Sequence, residues 1–262
     1  MKWINSFLFR LSGYFSRNYS IIQKEALVAG TFEFTTSNET AAQKQLARQL
    51  FYQKRLKPYP VVSIDERLRC YGWIALFETI KNIDGEIVEA GVGYGNSLIN
   101  LAIANTHYNA NKKLYAFDSF EGFPSPHAND IGLRVQSLTK VEGWENNSPE
   151  LLTNAIQNLN NQSILKINLD SIIYCKGFFH ETMPNLLPEK IALLHIDNDL
   201  YEGALHVLAT TFEKLQKNAI VIFDEYDDPK WPGVKKAVEM FSKLQPITLQ
   251  YFSVVQRYGF IK

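Results

Sequence analysis

The sequence predicts an α/β fold. A mainly parallel sheet is covered by helices on both faces, ends in a C-terminal antiparallel hairpin and is preceded by a helical N-terminal extension. Three observations predict it. Short apolar runs alternate with helix-length segments from residue 86 onward. A glycine-rich turn, Gly91-Val92-Gly93-Tyr94-Gly95, directly follows the first of these runs. Acidic residues cluster just beyond two later runs, at Asp197 and Asp199 and from Asp224 to Asp228. In open parallel sheets, ligand-binding groups gather at the carboxyl ends of strands.

Composition fits this reading. The 262 residues are 46% apolar and 21% charged, enough for a full core without disulfides. Cys70 and Cys175 are the only cysteines, too few for a disulfide scaffold or a structural zinc site. Lys plus Arg equals Asp plus Glu at 27 each, which argues against a nucleic-acid partner. No apolar run reaches the length of a membrane span. Charge is unevenly spread: residues 1–60 hold nine Lys/Arg against three Glu, a net of +6, and the remainder balances it at −6.

The N-terminal extension, residues 1–62, begins with an amphipathic helix over 3–15, where Trp3, Ile4, Phe7, Leu8, Leu11, Tyr14 and Phe15 share a face. Asn5, Ser6 and Arg10 interrupt any signal-peptide core, so a cytoplasmic protein is expected. That face is expected to pack on the body or on a second subunit, making a homodimer. A lid over substrate, or membrane contact through Lys2, Arg10 and Arg17, is the less favoured use. A second helix spans 41–55, and Lys57-Pro58-Tyr59-Pro60 breaks the chain. Ser63-Ile64-Asp65-Glu66 has the form of a capping box that opens the next helix and the catalytic domain, residues 63–262.

In that domain the patterning places strands at 86–90, 113–117, 171–176, 190–196 and 219–223. Helices are placed at 96–105, 149–159, 201–215 and 233–244, and a hairpin at 247–251 and 254–261. A long polar loop before residue 149 reads as a lid.

The glycine turn allows close backbone approach to a ligand and opens a helix whose free amides favour polar or anionic groups. A dinucleotide fingerprint would need glycine at position 96, which is Asn. Glu89, just before the turn, better suits a strand-end carboxylate facing the cationic methionyl part of S-adenosylmethionine. Asp118, ending the second strand, offers two acceptor oxygens to a ribose diol. The acids ending the fourth and fifth strands lie on neighbours about 4.8 Å apart. They would repel unless a cation joined them, and oxygen ligands favour Mg²⁺, Ca²⁺ or Mn²⁺.

Five ordered blocks carry a family resemblance: 88–97; Phe117-Asp118-Ser119-Phe120-Glu121-Gly122-Phe123-Pro124; 176–184; 191–202 with Asp197-Asn198-Asp199-Leu200-Tyr201-Glu202; and 221–226 followed by Pro232-Gly233. On these the chain resembles the macrocin O-methyltransferase (TylF-like) family of class I S-adenosylmethionine-dependent methyltransferases, over about residues 63–262. The resemblance implies a Rossmann-like methyltransferase sheet. It also implies that Glu89, Gly91, Gly93 and Gly95 line the methionine side of the cofactor. Asp118 would hold the ribose beside Ser119, and Gly177 and Phe178 would lie near the adenine. Mg²⁺ would sit on Asp197, Asp224 and Glu225, supported by Asp199 and Tyr201. Family members often carry Arg-Gly at the position of Tyr94-Gly95, paired Asp at Asp224-Glu225 and Ser at Gly203.

The expected reaction is O-methylation of a small-molecule acceptor, a sugar hydroxyl, with Asp197 as general base. His127 and His195 are alternative bases. Tyr14, Phe15, Phe32, Phe34 and Tyr52 are candidate walls of the acceptor site. A nicotinamide oxidoreductase is disfavoured by Asn96 and Glu89. A non-catalytic S-adenosylmethionine-binding or interaction protein remains the other class.

Overall fold

The computed structural model describes residues 64–138, 141, 144–162 and 165–262. The expected helices at 3–15 and 41–55, the aromatic residues upstream, the Ser63 cap, the boundary at 62/63 and any dimer contact through the extension lie outside the described residues.

Helix α1, Ile64–Ile80, buries Cys70, Trp73, Leu76, Phe77 and Ile80, a three-to-four-residue spacing that makes one apolar face. Strand β1 (Glu86–Ala90) leads through the glycine turn into α2 (Asn96–His107). Then follow β2 (Leu114–Asp118), α3 (Pro149–Gln162), β3 (Ile172–Lys176), α4 (Phe179–Leu186) and β4 (Ile191–Ile196). Next come α5 (Tyr201–Thr211), β5 (Leu215–Phe223), α6 (Pro232–Ser242), β6 (Gln250–Phe252) and β7 (Arg257–Ile261).

The seven strands lie in the order β3-β2-β1-β4-β5-β7-β6. The first five are parallel, and β7 runs antiparallel to both β5 and β6. Every residue of β4 is buried, as a central strand covered on both faces requires. One core joins side chains of α1, α2 and α3 to one sheet face, and a second joins α4, α5 and α6 to the other.

Many element ends shift by one to three residues from expectation, the hairpin strands beginning at Gln250 and Arg257 rather than at 247 and 254, and two differences are larger. The sequence reading places no helix at α4, which holds Pro184 within it; Glu181 accepts a hydrogen bond from the Phe178 amide at 3.2 Å and opens the helix. The helix expected over 201–215 stops at Thr211, a 3₁₀ turn covers Phe212–Lys214, and β5 starts four residues earlier than position 219. Pairing passes from Ile191 opposite Leu215 to Leu193 opposite Ile220, so the exposed Lys217 and Asn218 fall in an irregularity of β5.

The loop after β2 is fastened by a buried carboxylate. Asp130 is 2% exposed and accepts from the amides of Tyr201 and His127, each at 2.7 Å. Burial raises its carboxyl despite these bonds. The bond to Tyr201 serves the first turn of α5, where free amides need acceptors. Asp130→Ala is expected to cost about 2 kcal/mol, seen as a fall of about 4–8 °C in melting temperature.

Candidate active site

A cavity of about 550 Å³ opens at the carboxyl ends of the strands. Gly91, Gly93, Tyr94 and Ser97 line one side, with Asp118 and Ser119 beside them. Phe178, Phe179 and His206 line another, and Asp197, Asn198 and Asp199 belong to the same lining. Among the described residues its carboxylate lining comprises Asp118, Asp197, Asp199 and Glu202, and no Lys or Arg joins them.

The glycine turn is shaped by backbone demands. Gly91, Gly93 and Gly95 have φ of 94°, 51° and 83°. Gly95 caps α2 in the left-handed region. A Cβ on Gly91 would overlap the Asp197 carbonyl, so β1 and β4 meet here too closely for any other residue. Asp118 fastens the turn: its Oδ2 accepts from Val92 N at 2.8 Å and Gly93 N at 3.0 Å, and its Oδ1 from Phe120 N at 2.7 Å. Ser119 Oγ donates to the Gly122 carbonyl at 2.7 Å and closes the following turn.

The acids at the ends of β4 and β5 converge. Asp197, Asp224 and Glu225 each offer an oxygen, all within 4.8 Å of one another. Asp197 lines the cavity, whereas Asp224 and Glu225 do not. Burial, then the charge of Asp224, pushes Asp197 up to about 7. Burial and three neighbouring carboxylates push Glu225 well above its usual range, and its Oε2 is buried without a partner among the described residues. Burial opposes ionisation of Asp224 too, but Arg257 outweighs it: Nε and Nη2 donate to the two Asp224 oxygens at 2.6 and 3.3 Å, holding its carboxyl low. Converging oxygen donors, one of them orphaned, fit a hard dication.

Glu89 and His195 sit opposite each other on β1 and β4 and are both fully buried. His195 Nδ1 lies 3.2 Å from Glu89 Oε1, and neither residue lines the cavity. Burial, reinforced by Asp197, Asp118 and Asp224, pushes Glu89 well above its usual range, and burial takes His195 down to about 4. The folded pair therefore holds one proton, on Glu89.

The unfolded pair also holds one proton between the ordinary values of 4.5 and 6.5, so this pair contributes no pH dependence there. Above 6.5 the unfolded His loses its proton, and stability falls as pH rises for as long as the raised Glu89 carboxyl keeps its own. Below 4.5 the unfolded Glu gains a proton, and stability falls as pH drops toward the titration of His195. Glu89→Gln removes the upper limb: its melting temperature is expected to rise relative to the parent with increasing pH above 4.5. Melting curves from pH 4 to 9 on metal-free protein check this.

Of the cofactor residues expected from sequence, Gly91, Gly93, Asp118, Ser119 and Phe178 line the cavity, whereas Glu89, Gly95 and Gly177 do not. Gly177 forms the adjoining turn, its amide donating to the Asp118 carbonyl at 2.9 Å. His127 caps a short turn through Nδ1 and stacks on Tyr201 at 4.9 Å. The sequence reading missed Asn198, buried with both amide atoms unpartnered among the described residues, and Arg257. A Cβ on Gly203 would lie 2.8 Å from Asn198 Nδ2, so these two positions are sterically linked.

Residues 64–259 match the model of the family described as Macrocin-O-methyltransferase (TylF). The chain belongs to this TylF family. It is 28% identical over 149 residues to the 8-demethyl-8-(2,3-dimethoxy-alpha-L-rhamnosyl)-tetracenomycin-C 4'-O-methyltransferase of Streptomyces olivaceus, covering 55% of this chain and 54% of that protein. To the mycinamicin III 3''-O-methyltransferase of Micromonospora griseorubida it is 25% identical over 148 residues, covering 56% and 57%. It thus spans little more than half the length of these curated relatives. The crystal structure of the calicheamicin methyltransferase CalS11 shares the fold, with a TM-score of 0.64 at 23% identity, over 86% of this chain and 94% of that one. Family membership agrees with the sheet order and the strand-end site, and among the described residues no helix is long and apolar enough to cross a membrane.

Proposed function

We propose that the protein transfers the methyl group of S-adenosylmethionine to a hydroxyl of a sugar or glycosylated small molecule, with Mg²⁺ at Asp197, Asp224 and Glu225. One observation carries this reading: the glycine turn and Asp197, a member of the oxygen-donor triad, line the same cavity. The relatives named above, both O-methyltransferases, support the acceptor class.

Gly91 and Gly93 leave room for the donor's methionyl part, Asp118 and Ser119 stand where its ribose is expected, and Phe178 stands at the adenine end. Glu89 does not line the cavity; its buried contact with His195 ties β1 to β4 at the rim where the donor would bind. Arg257 keeps Asp224 ionised and oriented. Bound S-adenosylmethionine supplies an electrophilic methyl, and bound Mg²⁺ a Lewis acid that acidifies the acceptor hydroxyl. Asp197 would be a ligand, and a carboxylate committed to a dication is a weak base. Burial and the neighbouring carboxylates of Asp197 and Asp224 raise Asp199, which lines the same cavity; with a cation joining those neighbours, Asp199 would be the carboxylate left to take the hydroxyl proton. The cavity walls would position the acceptor hydroxyl for attack on the methyl group.

The test is methyl transfer from labelled S-adenosylmethionine to a panel of deoxysugar glycosides, with and without chelator. Label in the glycoside that is lost with EDTA and restored by Mg²⁺ is the expected result. Undiminished transfer in EDTA would remove the metal from the reading.

A further inference from the structure

Trp144 has a position that the cofactor reading alone does not explain. It adopts φ 68°, a left-handed conformation that costs a bulky side chain about 1–2 kcal/mol. Its ring stands edge-on to Tyr94, centroids 4.8 Å apart, and both residues line the cavity. Trp144 Cε3 is the nearest heavy atom, at 4.0 Å, to where a Cβ on Gly93 would stand. Three residues on, the Asn147 amide donates to the Gly93 carbonyl, so the segment is tied to the glycine turn. Trp144 thus stands beside Gly93, and Tyr94 follows it, in the part of the turn proposed to receive the donor's methionyl group. Among the described residues the charged lining is carboxylate without Lys or Arg, a surround that favours a cation.

We infer that Trp144 and Tyr94 form a cation-recognising aromatic pair, which distinguishes the positively charged sulfonium of S-adenosylmethionine from the neutral thioether of S-adenosylhomocysteine. This deepens the proposed function and rests on it. A ring face attracts a positive centre within about 6 Å, most strongly where water is displaced. The thioether product lacks that charge, so the same rings hold it less well. The pair would therefore favour entry of the charged donor and exit of the spent product at one site.

Isothermal titration of the full chain with S-adenosylmethionine, the amine analogue sinefungin and S-adenosylhomocysteine tests the inference. For Trp144→Leu the affinity ratio of S-adenosylmethionine to S-adenosylhomocysteine is expected to fall about tenfold. Sinefungin, cationic at the same position, should follow the donor. Trp144→Phe, which keeps a ring face, should retain most of the ratio. Tyr94→Leu should lower it independently, and carries the test should Trp144→Leu fail to fold. Equal weakening of all three ligands would show a merely structural role and overturn the inference while leaving the proposed function standing. If the parent protein bound none of the three, the donor reading itself would fall, and this inference with it.

Discussion

Asp197→Asn is expected to abolish divalent-cation binding and lower methyl transfer by about a hundredfold or more, while S-adenosylhomocysteine still binds. Asp197 is the point of contact between two assemblies: it belongs to the oxygen triad with Asp224 and Glu225, and it lines the cavity that the glycine turn also lines. Asn retains the shape and removes the charge. Its burial and the neighbouring Asp224 already raise Asp197 to about 7, so the metal-free variant should melt no lower than the parent. Manganese titration followed by electron paramagnetic resonance reads ion binding directly. Asp199→Asn is the companion: it should keep the ion and lose turnover, separating the proposed ligand from the proposed base. Full activity in Asp197→Asn would refute the metal assignment; loss of ion binding in Asp199→Asn would merge the two roles.

Much of this was legible in the sequence for a local reason. Strand ends, the glycine turn and the acidic clusters are short-range patterns, and the parallel-sheet rule places such groups at one rim. What escaped depends on register and distant contacts. Glu89 meets His195 because β1 and β4 pair in one particular alignment, 106 residues apart in sequence. Arg257 reaches Asp224 only because β7 inserts between β5 and β6. Asp130 reads locally as a turn acid, yet its Oδ1 accepts the Tyr201 amide 71 residues away. Helix α4 carries Pro184 in its interior, where proline normally argues against a helix. The polar run 216–218 hid the start of β5, because those residues occupy an irregularity in its pairing rather than the core. Asn198 lies between two readable acids, but its orphaned amide follows from burial, which no spacing reveals.

Gly91→Ala should be the most damaging single-methyl change in the glycine turn. Its φ of 94° disfavours any side chain, and the added methyl would enter the space of the Asp197 carbonyl oxygen. Neither partner can retreat cheaply. The Gly91 amide donates to the Phe117 carbonyl at 2.9 Å, and the Asp197 amide donates to the Ala90 carbonyl at 2.9 Å. Relief of the clash must therefore pull β1 from β4 at the rim where Asp197 meets the cavity. Backbone strain and overpacking together should cost about 3 kcal/mol or more, a fall of about 6–12 °C in melting temperature, with loss of S-adenosylhomocysteine binding. Gly93→Ala provides the contrast. Its φ of 51° lies in the small left-handed region open to alanine, and the nearest atom to the new methyl is on Trp144 at 4.0 Å. About 1 kcal/mol is expected there. Similar melting temperatures for the two variants would mean that the contact between β1 and β4 at Gly91 does not set the shape of the rim.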